Sequence, residues 1–408
     1  MKERPFSSEG RNWTALFSAN FLSVFNDNFL KHCIIFIAVT WAMPSWLSQS
    51  QLISLVSAAL VIPYLICSPL AGKWAIQYNK QKLFRRMKLI ELPVIVLACV
   101  AFYFEWVTLA IVAVLLMGFL SCLYSPAKYS LIRDIGGENK VSFGSGMIEA
   151  MAFLGILIGT VMASVISDHY QFWGMTAILI GLALLGYAAA AAIRTQELPE
   201  TDSGVSSVNP ITFLKQNYRF AAQHRGLNTA VLGYSIFWLL GGMLQMNLII
   251  HCRHVLQISN TMTGVVLSFA AVGIAAGCTF VGKISKERVR TDLVAIGLAG
   301  MSLLLTAILC FRMNVAVFSA TIFVFAFLGG FVQVPCLAHI QHADIGRKLG
   351  DMMAYLNFVT FIFVLLGTVL FSVVTMIFTE NSYAVFGTLL AITALSAVFF
   401  YRQYNRNN

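Results

Sequence analysis

The chain has 408 residues, 59% of them hydrophobic and only 11% charged, with a mean hydropathy of +0.79. A soluble chain carries about 25% charged residues. This composition therefore argues against a soluble enzyme, a disordered regulator or a secreted disulfide scaffold, and the long apolar runs lack the period-two alternation of an outer-membrane barrel. The formal charge of +10 reads as loop Lys and Arg on one side of a membrane rather than as a nucleic-acid surface.

A hydrocarbon core of ~30 Å needs ~20 apolar residues per helix. Twelve segments qualify, at about 13–42, 51–77, 86–104, 107–131, 143–167, 172–193, 227–253, 261–284, 291–311, 315–341, 349–378 and 382–402. The first is too long for a cleaved signal peptide and has no small-residue cleavage site. It carries Asn20, Asn26, Asp27, Asn28, Lys31 and His32. The third is flanked by Glu91 and Glu105; the fourth holds Lys128 just after Pro126; the fifth holds Glu149 just after Gly144, Ser145 and Gly146. After six spans comes the longest loop, 194–226, with Glu197, Pro199, Asp202, Gly204, Ser206, Ser207 and Pro210. It reads as a cytoplasmic linker between a six-helix half at 1–193 and a second at 227–408. The second half offers amides, Gln245, Asn247, Gln333 and Asn357, in place of charges. Eight dispersed cysteines without a CxxC read as small packing residues.

Orientation follows from Lys and Arg. With the N-terminus inside, 23 fall in inner segments, Arg253 and Arg312 fall outside, and Lys31 and Lys128 lie within spans. Both termini are expected in the cytoplasm. The halves also show weak similarity at an offset near 210: Ser68–Lys73 with Cys278–Lys283, Gly159-Thr160-Val161 with Gly367-Thr368-Val369, and Gly118-Phe119 with Gly330-Phe331. Two parallel six-helix repeats predict an all-α polytopic transporter that rocks one half against the other.

A charge at the bilayer centre costs ~2.5–3.5 kcal/mol on insertion scales, so intramembrane charges should be paired or functional. Asp27 and Lys31 share a helical face; they either pair structurally or line a cavity. Lys128 either snorkels to the interface or faces substrate. Glu149 either braces Lys128 or faces substrate. His251, His339 and His342 read as interfacial. Gly155-x-x-x-Gly159 and Gly273-x-x-x-Gly277 allow close helix approach, expected where the two halves meet. No Walker loop, GxSxG motif or metal-ligand cluster stands out, so no enzyme activity, metal or cofactor is expected.

Several motifs resemble one family. Phe25-Asn26-Asp27-Asn28-Phe29 is similar to the FxDN helix of the bacterial lysophospholipid transporters, and Tyr124-Ser125-Pro126-Ala127-Lys128-Tyr129 to their YSPAKY segment. Gly146–Ala150, Ser235-Ile236-Phe237-Trp238 and Gly329-Gly330-Phe331 with Val334-Pro335 are similar to further family segments, in order along the chain. The resemblance implies the major facilitator fold, in the bacterial inner membrane. It implies movement of lysophosphatidylethanolamine-like lipid from the outer to the inner leaflet, for re-acylation by an acyltransferase–acyl-carrier-protein synthetase. The chain closes just after its last span, so that enzyme is expected on a separate chain. A monomer is expected, with membrane lipids as its other partners and no nucleic acid.

The expected substrate-binding residues are Asp27, Asn28, Lys31, Lys128, Glu149, Trp238 and Gln245. Lys128 is expected at the phosphate, Asp27 or Glu149 at the ethanolamine ammonium, and the tail near Phe237, Trp238 and Met243. Another amphiphile, siderophore or drug on the same fold is the alternative. Two departures bear on this. Gly72 is followed by Ile76 and Gln77, where the superfamily usually has Gly-x-x-x-Asp-Arg, and Gln245 stands near where the lysophospholipid transporters carry an Arg.

Overall fold

A computed structural model describes residues 6–45, 47–137, 141–195, 209–285, 290–341, 343, 345 and 349–407. The linker residues 196–208, the inner-loop residues His342, Asp344, Arg347 and Lys348, and the side chains of Glu149 and Asp351 lie outside the described part. Within it are thirteen α-helices: α1 (Phe6–Ile37), α2 (Gln49–Gln77), α3 (Lys80–Tyr103), α4 (Val107–Gly136), α5 (Val141–Asp168), α6 (Phe172–Ala192), α7 (Pro210–Ala222), α8 (Leu227–His254), α9 (Asn260–Ser285), α10 (Asp292–Cys310), α11 (Val315–Gln341), α12 (Leu349–Ile377) and α13 (Ser382–Asn407). Eleven are long and apolar enough to cross a membrane; α3, with its Lys- and Arg-rich first turns, is the predicted span that is not among them. The twelve predicted spans correspond to α1–α6 and α8–α13.

Two differences from the sequence reading have local causes. First, α3 begins at Lys80 rather than near 86. Asn79 caps it, its side chain accepting from the Lys82 amide at 2.9 Å. The first two turns are rich in Lys and Arg, so hydropathy alone misses them, and Lys88 belongs to a helix interior rather than a loop. Second, the segment read as linker contains α7, which opens on Pro210, a residue suited to the first helical position.

The chain divides into two compact units, Met1–Pro210 and Ile211–Asn408. Their internal packing repeats. In the first, α1 packs on α5, α2 on α4, and α3 on α6; in the second, α8 packs on α12, α9 on α11, and α10 on α13. The sequence repeats sit at matching contacts. Gly159 lets α5 approach Phe25 of α1, as Gly367 lets α12 approach Leu239 of α8. Gly118 of α4 faces the backbone of Ala59 and Leu60 on α2; Gly330 of α11 faces Gly277 on α9. Gly155 and Gly159 therefore pack on α1, and Gly273 and Gly277 on α11. These glycines serve packing inside each half, which corrects the expectation that they mark where the halves meet. A side chain at Gly277 would bring its Cβ within 2.0 Å of the Phe327 carbonyl oxygen.

Candidate substrate site

The polar residues of α1 form tiers along the first unit, and α4 supplies matching partners in antiparallel register. In one tier the Lys128 ammonium donates to Asn20 Oδ1 at 2.8 Å and lies 4.9 Å from the centre of the Tyr129 ring. Asn20 in turn donates to the Ile148 carbonyl of α5 at 2.9 Å, beside Glu149. In the next tier Ser121 Oγ donates to Asp27 Oδ2 at 2.8 Å. Asn20 to Asp27 and Ser121 to Lys128 are both steps of two turns, so the tiers lie ~10 Å apart. Lys128 is 8% exposed, whereas Asp27 is half-buried.

A third tier lies one turn beyond Asp27. Lys31 is half-buried, and among the described residues its ammonium has no hydrogen bond or ion pair. The structural Asp27–Lys31 pair allowed by the sequence does not form: Asp27 bonds sideways to α4. His32 is buried, donating from Nδ1 to the Asn28 carbonyl at 2.8 Å, with Thr160 Oγ1 3.3 Å from the same nitrogen. Its Nε2 has no hydrogen-bond partner among the described residues. Asn28 donates back to the Val24 carbonyl at 2.9 Å, bonding within its own helix.

Sequence reading missed a buried cluster behind the middle tier. Lys88 is fully buried on α3 and pairs with Glu91, which is 2% exposed. Asn26 donates to Glu91 Oε1 at 3.2 Å, and the Lys88 ammonium lies 5.8 Å from the centre of the Tyr124 ring. Asn26 and Asp27 are adjacent, so their side chains diverge by about 100° around α1. One reaches the α3 ion pair; the other reaches α4. Glu91 thus neutralises Lys88 inside the helix packing of the first unit. Lys80, also counted in a loop, pairs at 3.4 Å with the fully buried Asp134 near the end of α4. The available signal was an Asn cap followed by Lys88 and Glu91 three apart, hence on one face.

The second unit uses its polar groups differently. Asn247 donates to the Ser382 carbonyl at 3.1 Å, and Cys278 Sγ lies 3.4 Å from Gln333 Oε1. His251, in the last turn of α8, is buried: it bonds Ser382 Oγ at 2.8 Å and stacks on Phe318 at 4.6 Å. His339 Nε2 donates to the Arg225 carbonyl at 3.2 Å. Asn357 is exposed. On α8, Trp238 and Gln245 are seven apart, hence on one face, and both are half-buried. Trp238 contacts the rings of Tyr234 and Phe237. Gln245 has no hydrogen bond among the described residues. Phe237 lies against Gly329, and Met243 is fully buried. The structure brings Asp27, Lys31 and Lys128 onto one α1–α4 polar track and leaves Trp238 and Gln245 on a face of α8.

Two six-helix units with repeated packing, built from membrane-length helices and carrying a ladder of intramembrane charges, define a polytopic helical transporter. The family model for the Major Facilitator Superfamily matches residues 16–368, and the chain belongs to that superfamily. A lysophospholipid transporter of Serratia proteamaculans (strain 568) is 28% identical over 339 residues, 81% of this chain and 80% of the relative. One of Photorhabdus laumondii is 26% identical over 407 residues, 97% of each chain. Both agree with the resemblance carried by the FxDN and YSPAKY motifs. The crystal structure of a single-site mutant of the nucleoside transporter NupG superposes with a TM-score of 0.72 at 12% identity, covering 96% of this chain and 99% of that one, a likeness of fold.

Proposed function

We propose that this protein carries a lysophospholipid from the outer to the inner leaflet of the bacterial inner membrane, where an acyltransferase restores the missing chain. The observation that carries the reading is Lys31: a half-buried ammonium one turn from Asp27, without an anionic partner among the described residues. An intramembrane cation needs a counter-ion. A phosphodiester supplies one, and Asp27 offers a carboxylate to the ammonium of the same head group. The curated relatives' names favour this class of cargo.

In this reading Lys31 meets the phosphate first and Lys128 later. Lys31 and Asn20, which holds Lys128, are eleven residues apart, ~16 Å along α1. The Lys and Arg bias puts Lys31 toward the outer leaflet and Lys128 toward the inner one. Alternating access hands the head down the track, with charge-assisted bonds replacing its hydration. Trp238 and Gln245 supply the second half's face toward the acyl tail and head.

The test is uptake of labelled lysophosphatidylethanolamine into spheroplasts with and without the protein. Asp27→Ala and Lys128→Ala are each expected to reduce uptake at least tenfold at unchanged expression. Unaltered uptake in both variants overturns the site. Absence of uptake by well-expressed wild-type protein overturns the cargo and favours another amphiphile, with Gln245 in place of the family's Arg as the first difference to explore.

A further inference from the structure

We propose that the groove between α7 and α12 binds an anionic phospholipid of the surrounding leaflet, with one acyl chain in the groove and its phosphate at Lys215 and Arg219. The proposal does not depend on the transported cargo.

The short helix α7 is anchored along one edge. Asn217 and Ala221 are buried, and the Phe213 ring meets Phe358 of α12 edge-on at 6.3 Å. Asn228, at the start of α8, donates to the Tyr218 carbonyl at 3.1 Å and accepts from the Tyr355 hydroxyl at 3.2 Å. Beside this anchor the two helices stand apart. Leu214, Lys215 and Tyr218 of α7 face Tyr355, Val359 and Ile362 of α12 across a groove of about 410 Å³. That volume falls within the ~300–1,000 Å³ of small-ligand sites. Its walls are aliphatic and aromatic, with Lys215 the one charged residue lining it among the described residues. The spans of α8 and α12 begin near this groove, at Leu227 and Met352, so it opens at a membrane surface.

The charge selects the occupant. Lys215 and Arg219 are one turn apart and exposed, α7 contains no acidic residue, and neither cation has an ion-pair partner among the described residues. Ile211, at the mouth of the groove, is 76% exposed. An amphipathic helix with apolar and basic faces at a membrane surface is suited to anionic lipid. An apolar slot next to two cations matches an acyl chain joined to a phosphate. A water-soluble anion matches only the cations, and a zwitterionic lipid brings a cationic head group against Lys215 and Arg219.

Native mass spectrometry of the purified full-length protein in detergent tests this. The arms are phosphatidylglycerol, phosphatidylcholine with the same chains, lysophosphatidylethanolamine and inorganic phosphate. Phosphatidylglycerol is expected to be retained better than phosphatidylcholine, and inorganic phosphate not at all. Replacing both cations, Lys215→Gln with Arg219→Gln, should weaken phosphatidylglycerol binding roughly thirtyfold, from about 1 kcal/mol for each cation. Both side chains are exposed, so this variant keeps the fold. Ile362→Trp, which narrows the groove, should lower retention of phosphatidylglycerol as well. Equal retention of phosphatidylcholine, unchanged binding by the double variant, or unchanged binding by Ile362→Trp overturns the proposal. Lysophospholipid retention that falls in the double variant and in Ile362→Trp as far as phosphatidylglycerol retention does also overturns it, by assigning the groove to the cargo.

Discussion

Lys88 and Glu91 are charges buried almost completely within α3, and their energetics differ from those of the polar track in front of them. Removing one partner of a buried pair strands the other and costs about 3–5 kcal/mol, whereas replacing both with apolar groups of similar size is often neutral. Glu91→Leu is therefore expected to lower the thermal midpoint of the detergent-solubilised protein sharply. The double variant Lys88→Met/Glu91→Leu is expected to recover most of that loss. Thermal unfolding followed by size-exclusion chromatography reads both, and a double variant no better than Glu91→Leu would show that the pair has a role beyond mutual neutralisation. Lys31 contrasts with Lys88. Its charge lacks a protein partner among the described residues, so Lys31→Gln should leave stability within about 1 kcal/mol of wild type while weakening lysophospholipid uptake. Asp27 and Lys128 were legible in the sequence because each interrupts a long apolar run. Glu91 and Lys88 were not, because they sit beside the basic first turns of α3 and read as the edge of a loop.

At the level of helices, the informative residues are those that have no side chain. Gly277 on α9 and Gly330 on α11 let two backbones touch, and a Cβ at Gly330 would lie 2.4 Å from the Gly277 carbonyl carbon. Gly277→Val should therefore force the helices apart and destabilise the fold by at least the ~1–3 kcal/mol of ordinary overpacking. Gly387 on α13 is the control: a Cβ there meets nothing within 4 Å, so Gly387→Ala should be tolerated and gain about 1 kcal/mol or less in helix propensity. Expression and monodispersity of the two variants compare them directly, and a well-behaved Gly277→Val protein would refute the packing argument. The small-residue spacing was visible in the sequence, but its partner was not. Period and spacing say that something comes close; only the three-dimensional contact says that the neighbour is a helix of the same half. The same limit applies to α7. Its turn-rich approach reads as linker, and thirteen residues are too few for a span, so hydropathy gives no reason to expect a docked helix.

For the whole molecule, the repeat connects sequence to fold most firmly. The offset near 210 residues matched short motifs only, yet Gly159 with Gly367 and Gly118 with Gly330 occupy equivalent contacts in their own halves. The halves diverged in chemistry while keeping the packing: the first holds buried or half-buried charges on α1, α3 and α4, and the second ties the Asn247 amide nitrogen and His251 to Ser382. Such a division suits a cargo with one charged end and one apolar end. It also makes the direction of the track matter, because Lys31 meets the head first only if α1 enters the membrane from the cytoplasm. The native cysteines test that orientation. Cys310 ends α10 and is exposed, while Cys33, Cys99, Cys122, Cys252 and Cys336 are buried. With the N-terminus inside, α10 runs outward and Cys310 reaches the outer face. A membrane-impermeant maleimide should then label intact spheroplasts through Cys310, and Cys310→Ser should remove the label. Labelling of Cys310 only after permeabilisation would invert the topology. Lys128 would then be the outer charge and Lys31 the inner one, and the proposed hand-over of the phosphate would have to run from Lys128 to Lys31.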